Sequence, residues 1–111
     1  MSYSRDSAII EVLATETTIL KASAGHNYTI ISAVFGNVDG TNDATVDIHF
    51  TKSGGSTINI VKTLSVQAGK AVEFLTGGKS SIFLESVDEF SATASAASDI
   101  TCLVSYIDET E

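Results

Sequence analysis

The sequence has no proline and no tryptophan, and among its 111 residues it has a single cysteine, Cys102, and a single arginine, Arg5. A lone cysteine excludes a disulfide within the chain and cannot build a thiolate metal cage, so stability must come from packing and the chain suits a reducing cell. Two histidines and one thiol leave little material for a nucleophile with a base and an orienting group. No run approaches the roughly 18 apolar residues that a membrane-spanning helix needs, and Met1-Ser2-Tyr3-Ser4-Arg5-Asp6 lacks the basic-then-apolar order of a secretion signal. Bases are scarce too: six stand against fourteen acids, a formal net charge of −8. That balance repels phosphate backbones and anionic lipids, so nucleic acid and membrane are not expected partners. A basic protein surface is complementary to it, and the charge also keeps the protein dissolved.

What is present suits one small core. The apolar fraction of 43% and charged fraction of 18% allow the whole chain to fold, and its length closes one domain and not two. Serine and threonine number 28, and they interleave with Val and Ile in short alternating runs joined by glycine turns, which is strand composition. From Ala44 to Lys52, the residues Ala44, Val46, Ile48 and Phe50 share one face and Thr45, Asp47, His49 and Thr51 the other. Ser53-Gly54-Gly55-Ser56 turns the chain, and Thr57 to Leu64 returns as a hairpin partner.

Tyr28 to Val38 is mostly apolar on both faces and reads as a central strand, with Phe35 as a core anchor beside Phe50. Asp39-Gly40-Thr41-Asn42-Asp43 turns out of it. Further strands are expected over Ala8–Ala14, Thr17–Ala22, Ala71–Leu75, Ser81–Glu85, Phe90–Ala96 and Ile100–Ile107, with a loop at Thr76-Gly77-Gly78-Lys79. About eight to nine short antiparallel strands with regular turns predict an all-β sandwich of jelly-roll or related Greek-key type. It spans residues 8–108, between an N-terminal arm at 1–7 and an acidic tail at 109–111.

The search for chemistry returns structural readings. His49 is placed on a polar strand face and His26 in the turn Ala24-Gly25-His26-Asn27, where solvated side chains are the rule. Cys102, on a face with Ile100 and Val104, reads as a buried and unreactive thiol. The Asp39–Asp43 loop has oxygens for a hard cation but lacks the alternation and closing glutamate of a calcium loop, so turn chemistry explains it. The glycine pairs Gly54-Gly55 and Gly77-Gly78 precede no helix and no phosphate-loop lysine. No catalytic, cofactor or metal residue is assigned, and the chain is not expected to be an enzyme.

Several strings are similar to small structural proteins of tailed bacteriophage virions, in particular the decoration and accessory sandwiches. They are Tyr28 to Asn37, the turn Val66-Gln67-Ala68-Gly69-Lys70, Phe83-Leu84-Glu85-Ser86-Val87-Asp88, and Ala94-Ser95-Ala96-Ala97-Ser98-Asp99 leading into Val104-Ser105-Tyr106-Ile107. One position departs from the pattern: Val87 stands where such proteins commonly have glycine. The resemblance implies a capsid decoration or cement protein in the virion, binding the major capsid protein, commonly as a homotrimer. A tail, neck, baseplate or fibre position is the alternative. A carbohydrate-binding module is the reading from another class, and the lack of tryptophan platforms weighs against it.

Interface residues are expected in two places. Tyr3 and Arg5 put an aromatic and an arginine, both frequent anchors, on the arm. Leu103 and Ile107 share a face of the last strand, which is core if that strand is central and an open contact surface if it is an edge.

Overall fold

The computed structural model describes residues 2–75 and 81–110, with Leu75 by its backbone alone. Nine strands follow one another: β1 (Ser2–Val12), β2 (Thr17–Lys21), β3 (His26–Asn37), β4 (Ala44–Thr51), β5 (Thr57–Val66), β6 (Ala71–Leu75), β7 (Ile82–Leu84), β8 (Glu89–Ala94) and β9 (Ile100–Thr110). The described residues contain no helix. One sheet has the order β1-β9-β3-β6, with β7 also paired to β3, and the other β2-β8-β4-β5. Every pairing is antiparallel. Consecutive strands β4 and β5 share one sheet and β6 and β7 the other, while every other connection passes between the two, which is the jelly-roll arrangement. The sandwich and its strand number are as the sequence predicts. The loop expected at Thr76-Gly77-Gly78-Lys79 lies outside the described residues.

Alternation fixes which face of each strand is core. Ala44, Val46 and Ile48 of β4 and Ile100, Cys102 and Val104 of β9 are buried, and the residues between them are not. β3 reaches the same result with a fault in its period. Tyr28 and Ile30 are buried, and then Ala33 and Phe35, which have the opposite parity. The register against β9 slips at Ile31, so one extra residue lets both halves of the strand face the same core. In β2 a slip at Ile19 likewise buries the consecutive Ile19 and Leu20.

Phe35 and Phe90 are fully buried, and the Phe74 ring lies between them at centroid distances of 6.4 and 6.3 Å. Phe35 is therefore an anchor as expected. Phe50 is not: it is only partly covered, and its cross-strand partner Phe90 holds the central place. The cause is position, because Phe50 sits one residue from the end of β4, beside the hairpin loop. In that loop Gly54 has φ +75°, which a side chain would strain.

The expected arm and tail are continuous with the sheet. Ser2 to Ser7 are strand, pairing residue by residue with Thr110 to Ser105, and Glu109 and Thr110 are the last residues of β9. Hydropathy did not mark them because an edge ladder is made by the backbone, whatever the side chains. Inside, the buried Asn37 side chain donates to the carbonyls of Asn42 and Val66 and accepts from the Asp39 amide, tying the β3–β4 loop to the end of β5.

Candidate docking face

The outer face of the five-stranded sheet is laid out by register. Directly paired residues share a face, so Ile9 of β1, Leu103 of β9, Val34 of β3 and Glu73 of β6 form one row across the sheet. A second row runs Arg5, Ile107, Thr29 and Phe83 across β1, β9, β3 and β7. Between them lie Ser7, Ser105 and Ser32. Two bulky rows thus flank a low serine row. Ile9 is 73% exposed, Phe83 49% and Leu103 43%. Glu11 stands beyond Ile9 at one end, and at the other Tyr3 pairs with Glu109. The Tyr3 hydroxyl donates to the Glu109 carboxylate, and that negative partner holds the phenol above its ordinary pKa.

All four residues expected at an interface, Tyr3, Arg5, Leu103 and Ile107, lie on this face. Tyr3, Arg5 and Ile107 also line one shallow depression together with Ser4. The choice posed for the last strand, central and covered or edge and open, has a different outcome. β9 is central, between β1 and β3, yet its Leu103–Ile107 face meets no second layer. A two-layer sandwich covers one face of each strand only. Ile9, Val34 and Phe83 complete the rows and were not singled out in the sequence. A signal existed: Ile9 interrupts the inward series Ala8, Ile10, Val12, and Phe83 stands between Ile82 and Leu84, so each had to point outward.

The opposite outer face, on the four-stranded sheet, is polar. Thr45, Asp47, His49 and Thr51 of β4 are joined there by Thr93, Ser91 and Glu89 of β8 and by Ser65, Asn59 and Thr57 of β5. His49 Nδ1 hydrogen-bonds Asn59 Oδ1, which assigns it the proton, and Nε2 lies 3.1 Å from Thr93 Oγ1. Both ring nitrogens are thereby engaged with neutral groups. His26 opens β3 instead of sitting in a turn, with Nδ1 2.7 Å from Asp108 Oδ1 and 3.4 Å from Thr110 Oγ1. Both contacts fall on the same nitrogen, so the ring does not bridge a hydroxyl and a carboxylate as a catalytic base does.

Cys102 is fully buried, and burial pushes its thiol up to about 12, far from a reactive thiolate. The Asp39 carboxylate accepts from the Thr41 amide, the Asn42 side chain and the Asn42 amide, which hold it below its ordinary pKa. Asp43 accepts from the Ala68 amide. These oxygens close turns, and the described residues contain no group of three or more His, Cys, Asp or Glu side chains placed to hold a metal.

Asp88 is a structural centre that the sequence concealed. Its carboxylate, 1% exposed, accepts from the Ser53 amide at 2.8 Å, the Glu85 amide at 3.0 Å and Lys52 Nζ at 3.0 Å. Burial pushes the carboxyl up, but those three donors outweigh it and hold the group below its ordinary pKa. Val87, just before it, has φ +61°, the left-handed conformation that glycine adopts freely and a β-branched residue resists. The glycine that the phage-protein resemblance implies at this place would adopt that conformation without strain.

No family model matches the chain, and no curated protein matches it. Among solved structures it is similar to a chain from the Bacillus endospore appendages described as a novel family of disulfide-linked pili. The TM-score is 0.56 with 20% identity, over 98% of this chain and 88% of that one. A second solved chain, from the virus-like particle of the Macrobrachium rosenbergii extra small virus, gives a TM-score of 0.43 with 11% identity, over 100% of this chain and 82% of that one. At such identities the first likeness speaks to the fold.

Proposed function

We propose that this chain is a non-enzymatic structural protein of a virus particle, a capsid decoration or cement protein that binds the outer surface of a bacteriophage head and stabilises it. The observation that carries the reading is the contrast between the two outer faces. One is a polar network of threonine, serine, asparagine and histidine suited to water, and the other presents bulky apolar rows centred on Leu103 and Ile107. A protein that coats a shell needs one face of each kind. The resemblance of Tyr28 to Asn37 and the other strings to phage virion proteins supports the same reading. So does the fold, which in the endospore appendages serves a protein assembly. Cys102 is buried, so association of this chain rests on non-covalent surfaces.

The alternative positions are separated by abundance, since a tail, neck, baseplate or fibre subunit is a low-copy component. Quantitative mass spectrometry of purified particles is expected to find the chain on the order of hundreds of copies, as for a subunit repeated over a symmetric shell. About a dozen copies or fewer would move it to the tail or neck, and complete absence would end the virion reading. A trimer in solution, measured by sedimentation, is the expected unit.

A further inference from the structure

We infer that the outer face of the five-stranded sheet is the surface that meets the particle, and that its partner there is a protein surface with an apolar centre and a basic rim. This inference rests on the virion reading above and adds to it the face and the chemistry of the partner.

The centre of the face carries few charges in a chain that has many. Of the fourteen acids, Glu11, Glu73 and Glu109 lie in its rows, and all three stand at row or strand ends, while the middle is Leu103, Val34, Ile107 and three serines. Depletion of charge at the centre with polar groups around it is the anatomy of a protein interface. Size agrees. Four strands about 4.8 Å apart and about 33 Å long present roughly 600 Å². That is somewhat below the roughly 800 Å² per partner of a standard interface, as suits a subunit held in many copies.

Charge selects the occupant. A second copy seated on this face would set the rim acids Glu11, Glu73 and Glu109 against the same acids of its partner. A shell surface with lysine or arginine around an apolar patch meets the same rim with attraction, which steers association and fixes register. Ile58 and Ile60, the exposed aliphatic residues of β5, are a weaker candidate surface. They lie on an edge strand whose register slips twice against β4, and such bulges twist an edge away from further pairing.

The experiment uses particles depleted of the chain, from the virus that encodes it, and measures rebinding of the full-length protein. Leu103→Glu is expected to weaken rebinding by about a hundredfold or more, as loss of a central apolar anchor does. Ile9→Glu, at a more exposed position that tolerates charge without loss of fold, is expected to weaken it by about tenfold. Ile58→Glu is expected to rebind as the wild type. Raising NaCl from about 50 to 300 mM should weaken the wild type, because the rim attraction is screened. The inference is overturned if Leu103→Glu and Ile9→Glu rebind like the wild type, or if salt strengthens binding. It is also overturned if the chain alone dimerises and Leu103→Glu abolishes the dimer, for then a second copy covers the face. A wild type that does not rebind at all overturns the virion reading, whereas a wild type that rebinds alongside unimpaired Leu103→Glu and Ile9→Glu variants overturns this inference alone.

Discussion

At the scale of single residues, the strongest polar constraint is Asp88. It joins the β4–β5 loop, through the Ser53 amide and Lys52, to the corner before β8, through the Glu85 amide. The neighbouring backbone adds to the join, since the Ala22 amide donates to the Asp88 carbonyl and the Val87 amide to the Ala22 carbonyl. Removing the carboxylate leaves two backbone donors unmatched. Asp88→Ala is therefore expected to cost about 3 kcal/mol, the lower end for breaking a buried pair because the Lys52 side chain is half-exposed and can turn to water. The sign with pH follows from the lowered pKa of the folded state. The contribution of Asp88 is fully present above the unfolded value near 4 and is lost as pH falls through the lower folded value. Urea titrations of wild type and Asp88→Ala should thus differ most near neutrality and converge below about pH 4; a constant gap would refute the linkage.

Among the elements, β3 and β9 form the spine. They pair from His26–Thr110 to Asn37–Ile100, and β1, β6 and β7 add to their flanks. Phe35 on this spine is fully enclosed, whereas Phe50 is half-covered at a strand end. Phe35→Ala should lose about 3–5 kcal/mol in chemical denaturation, and Phe50→Ala only about 1–2. Equal losses would mean that the hairpin end is as tightly enclosed as the centre. The strand positions were legible because β4, β8 and β9 alternate without interruption. The slips at Ile31 and Ile19 were not. A bulge is chosen by what lies across the sheet, and a sequence window sees only its own strand. The same limit hid the rank of Phe50 against Phe90, since each has an apolar alternating context and only the facing layer tells them apart.

For the molecule as a whole, the two sheets enclose a core that Cys102 reports on. The thiol has no exposed surface and a pKa pushed to about 12, so labelling by a thiol reagent requires the sandwich to open. Labelling is expected to be slow in native buffer and to rise with urea in the same transition as the loss of circular dichroism. Rapid labelling without denaturant would instead reveal local opening at β9. The same two-layer construction produces the outward face. With a 47 × 28 × 21 Å body and long strands β1, β3 and β9 in one sheet, more apolar side chains are generated than one core can cover. Tyr3, Arg5, Leu103 and Ile107 come together only because β1 folds back along β9 in register.

The sequence by itself determined the class of fold, the approximate strands, Phe35 as a core anchor and Cys102 as a buried thiol, because alternation and turn residues are local properties of the chain. The tertiary structure decided that residues 2–7 are strand, that β9 is central with an open outer face, that Asp88 is buried, and that Ile9, Val34 and Phe83 extend the rows of Leu103 and Ile107. Each of these depends on pairing between residues far apart in the chain, and register and layering are set by contacts that no single segment contains.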